Sequence, residues 1–134
     1  MQERIDAGYP VGGTSAGLAV LGQYYFSAEF DTVTSAEAMA NPGSKKIALG
    51  KDFLKIRHLE NSITDSHFSA RRREGRLDVF LKEIGGPGVV GLGIDEATAV
   101  LLSTDGTATV VGKAKAHVHR PGKAPSQFAA GEGV

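Results

Sequence analysis

Apolar residues in this chain form short segments, and glycines, prolines and polar residues separate one segment from the next. Segments in which apolar residues are consecutive or alternate predict strands, whereas apolar residues spaced three and four apart predict helices. Strands are predicted over residues 9–13, 61–65, 89–94 and 113–120. Two further strands, over residues 98–103 and 107–111, flank Thr104-Asp105-Gly106, and this arrangement predicts a β-hairpin.

Other segments have helical patterns. Residues 16–26 carry little polarity and follow a glycine-rich turn, so they predict a buried helix. Thr34 and Ser35 are suitable caps for a short helix that continues through Met39. The clearest helix covers residues 70–84 and ends at a run of glycine and proline. Helices that alternate with apolar strands and precede a terminal hairpin indicate an α/β fold with a layered mixed sheet.

The composition fits a single globular domain that uses glycine for its geometry. The 134 residues include 18 glycines, about 13% of the chain against a usual ~7%. Equal numbers of basic and acidic side chains, 15 each, argue against nucleic acid or an anionic membrane as a partner. The chain has no cysteine, which excludes disulfides, thiolate metal sites and a cysteine nucleophile. We assign residues 1–120 to the domain and expect residues 121–134 to form a flexible tail.

One uncharged segment, residues 7–28, is long enough to span a bilayer. Its many glycines and polar residues argue against a membrane helix. The first residues of the chain are charged and no apolar core follows them directly, so they do not resemble a signal peptide. The cytoplasm is the favoured compartment, an expectation that does not rest on where the chain begins.

The residues Gly13-Thr14-Ser15-Ala16-Gly17 match G-x-S-x-G, the pattern of a nucleophile elbow. In such a turn a serine with a strained backbone lies between a strand and a helix, and glycines at the flanking positions avoid collisions. The helix amino terminus favours negative charge on a bound carbonyl oxygen, and the backbone N–H of Ala16 is one expected oxyanion donor. A plain strand-to-helix turn or a phosphate-binding loop is the alternative interpretation.

A serine nucleophile needs a base, and the sequence contains four histidines. His67 follows a predicted strand and precedes the clearest helix, which is where α/β sheets place reactive groups. His117 and His119 alternate along a predicted strand and share one face, but no third metal ligand has suitable spacing. His58 lies beside Arg57 and fits a surface position. We therefore predict neither a metal site nor a cofactor.

Basic side chains are concentrated directly after His67, at Arg71, Arg72, Arg73 and Arg76. One interpretation is a solvated helix face. The other is a clamp for the carboxylate of an acidic substrate, since guanidinium groups bind carboxylates through two parallel hydrogen bonds.

Two carboxylates, Asp95 and Glu96, follow the predicted strand over residues 89–94. One of them is a candidate to orient the imidazole, as the third group of a catalytic triad does. The alternative is a strand-to-turn boundary without a chemical role.

Three blocks of the sequence match a family pattern when they are taken together. The blocks are Gly12-Gly13-Thr14-Ser15-Ala16-Gly17, Asp65-x-His67-Phe68-x-x-Arg71-x-Arg73-x-x-Arg76-Leu77, and Gly91-x-Gly93-Ile94-Asp95-Glu96-x-Thr98-Ala99. In order, spacing and residue type they resemble the cyanophycinase-like serine peptidases, relatives of aspartyl dipeptidase (peptidase E). The resemblance implies a fold similar to that of class I glutamine amidotransferases, with serine at the cysteine position.

The resemblance also implies a role for each matching residue. Ser15 would be the nucleophile, His67 the general base and Glu96 the carboxylate that orients it. The residues implied to line the pocket for the aspartyl part of the substrate are Asp65, Arg71, Arg73 and Arg76. Members of the family cleave peptide or isopeptide bonds next to aspartate, including those of the β-aspartyl-arginine polymer cyanophycin, by acyl transfer.

Two departures from the family pattern affect these expectations. Cyanophycinases tend to have glutamine between the aspartate and the histidine, where this chain has Ser66, and this weakens cyanophycin as the substrate. Family members also carry several strand and helix units before the serine turn, including the loop that supplies the other oxyanion donor. We therefore expect the chain to be a C-terminal portion of a longer enzyme, or to pair with a second copy or a complementing chain.

Three alternative functions remain open from the sequence. An α/β-hydrolase esterase also uses G-x-S-x-G, but it would take His117 or His119 as its base and leave His67 idle. A truncated, non-catalytic relative would serve as a binding or assembly module. A nucleotide-binding loop over residues 12–17 is the third, although the loop has no lysine at the Walker position.

Overall fold

The computed structural model describes residues 1–134 and contains helices and strands in alternation. The helices are α1 (Gln2–Asp6), α2 (Ala16–Ala19), α3 (Ser35–Ala40) and α4 (Glu74–Ile84). The strands are β1 (Tyr24–Phe26), β2 (Leu49–Lys51), β3 (Ser62–Asp65), β4 (Val90–Ile94), β5 (Thr98–Leu102), β6 (Ala108–Gly112), β7 (Lys115–His119) and β8 (Ser126–Ala129). None of the helices is both long and apolar enough to cross a membrane.

A six-stranded mixed sheet, in the order β2-β1-β3-β4-β7-β8, forms the centre of the molecule. Strands β1, β3 and β4 run parallel, whereas β2, β7 and β8 pair antiparallel with their neighbours. Strands β5 and β6 form a separate antiparallel hairpin. The predicted α/β class with a layered mixed sheet and a hairpin is confirmed.

The main hydrophobic core lies between the sheet and α4. Leu77 and Phe80 of this helix are fully buried, as is Phe68 in the turn before it. Strand β4 presents two glycines to these side chains: a Cβ at Gly91 would lie 2.9 Å from Cγ of Leu77, and a Cβ at Gly93 would collide with the Phe68 ring. Glycine at both positions therefore lets the large side chains pack directly on the β4 backbone.

The opposite face of the sheet is covered by the hairpin and by α2. Ile94 alternates with the glycines of β4 and so points away from α4, where it packs with Ala116 and the fully buried Val110 of β6. On the same face, the Thr64 hydroxyl of β3 donates a 2.6 Å hydrogen bond to the carbonyl oxygen of Leu18. This bond attaches the α2 segment to the centre of the sheet.

The segment before β1 differs from the prediction. Residues 9–13 form no strand, and α2 ends at Ala19, whereas the sequence pattern predicts a helix over residues 16–26. Gly22 packs against the backbone of β3, where a Cβ would lie 2.8 Å from the carbonyl oxygen of Ser62. The aromatic residues that follow join the sheet as β1, so pairing with β3 outweighs the local helical pattern.

Two further predictions, the start of the helix over residues 70–84 and the flexible tail, differ from the structure. Helix α4 begins at Glu74, because the residues before it form turns in which His67 and Arg72 have positive φ angles of 48° and 50°. The segment 121–134, expected to be a flexible tail, contains strand β8, which pairs with β7. Phe128 of this strand packs against the hydrophobic cluster under the hairpin, and burying this aromatic side chain stabilises the strand.

Candidate active site

Ser15 lies in a tight turn directly before α2 and is exposed. Its φ and ψ angles are 52° and −120°, a combination that residues with a side chain rarely adopt. A Cβ at Gly13 would collide with the backbone of Gly17, so the turn requires glycine at Gly13. At Gly17, by contrast, a side chain would meet nothing. Collisions are expected at both glycines that flank the serine, but the structure has one only at Gly13.

His67 and Glu96 follow adjacent parallel strands, β3 and β4. Because parallel neighbours end at the same edge of a sheet, the two side chains meet there, with Glu96 Oε1 2.8 Å from His67 Nδ1. The other ring nitrogen, Nε2, lies 3.0 Å from Ser15 Oγ. The structure therefore brings Ser15, His67 and Glu96 into one hydrogen-bonded chain.

This hydrogen-bonded series of side chains is open to solvent. The His67 side chain is 25% exposed and the Glu96 side chain is 59% exposed. With a carboxylate at Nδ1, the neutral imidazole carries its proton on that nitrogen, which donates to Glu96. Nε2 is then the acceptor for the Ser15 hydroxyl, the arrangement that a general base requires.

The predicted oxyanion donor, the backbone N–H of Ala16, donates to no acceptor within the chain. Helix α2 contains four residues, so it lacks the macrodipole expected of a helix over residues 16–26. Negative charge at this turn would be stabilised by the free N–H group itself rather than by a helix dipole.

The residues expected to bind substrate form two groups, and the first is held together by Asp65. Arg76, 4% exposed, donates through Nε and Nη2 to both Asp65 carboxylate oxygens, at 2.8 and 2.6 Å. Arg73 donates to the same carboxylate at 3.2 Å. Burial lowers the pKa of Arg73, repulsion from Arg76 lowers it further, and attraction to Asp65 opposes both effects. Asp65 and Arg76 therefore satisfy each other and shape one wall of the site.

The second group is Arg71, which lines a cleft of about 340 Å³ beside Ser15. Tyr25 and Phe26 contribute aromatic surface to the same cleft, whose volume is in the range of small-molecule sites. Three guanidinium groups and one carboxylate line it, which gives a formal charge of +2. Arg71 is exposed and forms no ion pair, so its guanidinium is available to an anion.

Nothing in the sequence pattern predicts the contact between Asp95 and His117. The carboxylate accepts hydrogen bonds from the backbone N–H groups of Ser69, at 2.9 Å, and Lys115, at 3.2 Å. His117 Nε2 lies 3.1 Å from Asp95 Oδ1. Burial raises the pKa of Asp95, but the hydrogen bonds with Ser69 and His117 outweigh it and hold the pKa below its usual value. The sequence feature that points to this contact is the second acidic residue directly beside Glu96.

The remaining histidines lie away from Ser15. His119 is buried, with Nδ1 2.7 Å from Asp78 Oδ1, and exposed His58 is hydrogen-bonded to the backbone of the hairpin turn. The structure groups no three histidine, aspartate or glutamate side chains in a way that holds a metal ion. Neither His117 nor His119 is placed to serve Ser15, as the esterase alternative requires.

The chain is similar to cyanophycinases, although no protein-family model matches it. It is 31% identical over 111 residues to a cyanophycinase of Synechococcus elongatus and, likewise, to one of Thermosynechococcus vestitus. The aligned region is 83% of this chain and 31% of each relative, so the chain spans about a third of the length of these curated relatives. The similarity supports a relationship to the cyanophycinases.

Proposed function

We propose that this chain carries the catalytic centre of a serine-type peptidase that hydrolyses peptide or isopeptide bonds next to aspartyl residues. The observation that carries the proposal is the contact of one imidazole with both other groups: His67 Nε2 lies 3.0 Å from Ser15 Oγ, and Nδ1 lies 2.8 Å from Glu96 Oε1. Both distances suit a nucleophile, its base and an orienting acid. The 31% identity to cyanophycinases supports the same class of reaction.

In the proposed mechanism the Ser15 hydroxyl attacks the scissile carbonyl while His67 Nε2 takes the hydroxyl proton. Glu96 accepts a hydrogen bond from Nδ1–H and stabilises the imidazolium. The tetrahedral intermediate collapses as His67 gives its proton to the leaving amine, and an acyl ester at Ser15 remains. Water, deprotonated by the same imidazole, then attacks the ester and releases the acid product, which restores the serine hydroxyl.

The charge of the cleft supports an acidic substrate. Its formal charge of +2 includes Arg71, which no carboxylate of the chain neutralises. A guanidinium binds a carboxylate with two parallel hydrogen bonds, so the aspartyl carboxylate is expected at Arg71 while the scissile bond lies at Ser15. Ser66 stands where cyanophycinases tend to have glutamine, so aspartyl dipeptides are preferred to the polymer as the first substrates to test.

The proposed site is completed by further polypeptide, either a second copy of this chain or a complementing chain. Ala16 supplies one oxyanion donor, whereas acyl-transfer sites combine several. Tyr9, Phe30 and Phe53 are 57%, 59% and 60% exposed, and their burial by another chain would remove apolar area from water. Size-exclusion chromatography with light scattering tests this part: a fully active monomer would contradict it.

Labelling by a fluorophosphonate tests the nucleophile, because the reaction needs an activated hydroxyl. We expect label on Ser15 in the wild type and none in Ser15→Ala. Ser103→Ala, which changes an exposed serine beside the hairpin turn, is the matched control and should label as the wild type does. A wild-type protein that resists labelling, alone and with its partner, would contradict the proposal and favour a non-catalytic binding module.

Hydrolysis assays test the substrate class. We expect cleavage of a β-aspartyl-arginine dipeptide and of other aspartyl dipeptides, with slower cleavage of peptides in which asparagine replaces aspartate. Equal rates on both kinds of peptide would contradict the role of the aspartyl carboxylate. Turnover of simple esters alone would contradict aspartyl peptides as the substrate class.

A further inference from the structure

We infer that Asp95 is a positioning residue. It holds Glu96 and the turn that contains His67, Phe68 and Ser69 (the His67 turn) in register, and buried His117 keeps the Asp95 carboxylate in place. The catalytic consequence of this inference rests on the proposed function. Its geometric part concerns only the orientation of the His67 imidazole and is measurable independently of activity.

Asp95 connects three backbone segments around the end of β4. Its Oδ1 accepts a 2.9 Å hydrogen bond from the N–H of Ser69, two residues after His67, and its Oδ2 accepts one of 3.2 Å from the N–H of Lys115 at the start of β7. The Asp95 N–H donates to the Lys115 carbonyl oxygen at 3.1 Å. Because Asp95 immediately precedes Glu96, one residue fixes both sides of the contact between imidazole and acid.

The His67 turn needs such support because its backbone is strained. His67 has a φ angle of 48°, in the left-handed region that residues other than glycine adopt at a cost, so its surroundings must hold it there. Two hydrogen bonds attach the turn to the end of β4: the Phe68 N–H donates to the Ile94 carbonyl oxygen at 3.2 Å, and the Ser69 N–H donates to Asp95. The second bond depends on the Asp95 side chain, so the turn becomes less constrained without it.

His117 is placed to fix Asp95 and not to act as a second base. It is 3% exposed, and its Nε2 lies 3.1 and 3.2 Å from the two Asp95 oxygens and 3.2 Å from Ser69 Oγ. One ring nitrogen faces both the acid and the hydroxyl, so the ring cannot accept a proton from one side while donating to the other. The Phe68 ring, with its centroid 5.0 Å from that of His117, limits movement of the imidazole.

Asp95→Asn, in the full chain, tests the inference, with Asp78→Asn as the matched control. Asp78 also accepts from a histidine of β7, His119, at 2.7 Å, but it makes no hydrogen bond to the His67 turn. Two readouts are needed: the second-order rate of Ser15 labelling by a small fluorophosphonate, and the ¹⁵N-histidine NMR spectrum, which reports the His67 tautomer and its Nδ1–H hydrogen bond.

We expect Asp95→Asn to label about 10–100-fold more slowly, because a small displacement of a base has effects of this size. We also expect it to lose the hydrogen-bonded Nδ1–H signal of His67. Asp78→Asn should keep the wild-type labelling rate and His67 spectrum. Should Asp95→Asn fail to fold, His117→Gln provides the milder variant, with the same spectral change and a smaller loss of rate.

A folded Asp95→Asn protein with the wild-type labelling rate and the wild-type His67 spectrum would overturn the inference and leave Asp95 with a purely structural role. If the wild type itself does not label, the proposed function fails. The NMR spectra still decide whether Asp95 positions the His67 imidazole. A changed His67 signal in Asp95→Asn then supports the positioning role, whereas an unchanged one contradicts it.

Discussion

Two imidazole–carboxylate pairs lie around the end of β4, and each also contacts a serine. In the pair of His67 and Glu96, the carboxylate and the serine hydroxyl occupy different ring nitrogens. In the pair of His117 and Asp95, the carboxylate and the serine hydroxyl share Nε2. Only the first arrangement lets an imidazole accept a hydroxyl proton while it donates to an acid. The two pairs contain the same kinds of group, but they differ in chemical capacity because different atoms are in contact.

The two pairs also differ in exposure. The side chains of His67 and Glu96 are 25% and 59% exposed, whereas those of His117 and Asp95 are 4% and 10% exposed. Solvent has access to the first pair. The second is enclosed, and its carboxylate is occupied by backbone donors, so we assign it to the support of the first.

The largest expected effect comes from removing each imidazole in turn. His67→Ala should lower kcat on an aspartyl dipeptide by ~10⁴-fold or more, because Ser15 then has no proton acceptor. His117→Ala should lower kcat by about tenfold or less, since it affects only the support of the His67 turn. Steady-state kinetics on folded proteins, checked by circular dichroism, measure both values. Similar losses in the two variants would remove the distinction between the pairs.

Changing the acid of the exposed pair should have a smaller effect. Glu96→Gln keeps the shape of the side chain but removes the charge that stabilises the imidazolium. A buried triad acid contributes ~10⁴-fold in kcat; because Glu96 is exposed and screened by water, we expect a loss of about 10²-fold with little change in KM. Glu83→Gln, on the exposed face of α4, is the control and should retain full activity. Full activity of Glu96→Gln would show that the acid does not orient the base.

The acid of the buried pair should affect stability in a pH-dependent way. Asp95→Asn should lower the free energy of unfolding near neutral pH by about 1.5–3 kcal/mol, the range for hydrogen bonds to a charged group. Since the folded state lowers the pKa of Asp95, the stabilisation is complete above the unfolded pKa of ~3.9 and is lost as the pH falls through the folded value. Wild type and variant should therefore converge on acidification below about pH 4.

Urea unfolding of both proteins, at neutral pH and at a pH below the unfolded pKa, measures this difference directly. Asp105→Asn is a useful comparison, because the pKa of this exposed carboxyl is also lowered, by hydrogen bonds with Thr107 in the hairpin turn. Its effect should be small at every pH. A stability gap at Asp95 that widens in acid would contradict the assigned direction of the pKa shift.

The predictable parts of this molecule are those that depend on local sequence. Apolar segments indicate β3 and β4, and the residues that follow them, His67 and Glu96, are found at the ends of adjacent parallel strands. The glycine before Ser15 indicates a tight turn, and the structure has one, with a positive φ at the serine. The catalytic roles of these residues remain predictions that the experiments above test.

The unpredicted parts depend on contacts between distant segments. The helix after Ser15 is short because the aromatic residues beyond Gly22 pair with β3, a gain that a local helical pattern does not contain. Arg76 lies on the predicted arginine-rich face, but packing buries it against Asp65. An arginine's sequence position therefore does not determine whether its charge is available to a substrate.

The smallest effect we expect is at Arg71, whose guanidinium, unlike that of Arg76, is not paired with a carboxylate of the chain. Arg71→Ala should raise KM for an aspartyl dipeptide about tenfold at low salt, because an unpaired guanidinium beside the cleft attracts the substrate carboxylate. Its kcat and the fluorophosphonate labelling rate should change little, since Ser15 and His67 are untouched. The difference should shrink in high salt, which screens charges separated by more than ~3 Å at about 1 M.

Arg72→Ala is the matched control, because this neighbouring arginine is exposed and does not line the cleft. A rise in KM for Arg71→Ala alone would assign the carboxylate to the unpaired guanidinium. An equal rise in both variants would mean that general positive charge attracts the substrate, and no rise in either would place the aspartyl carboxylate nearer to Arg73, which shares its charge with Asp65.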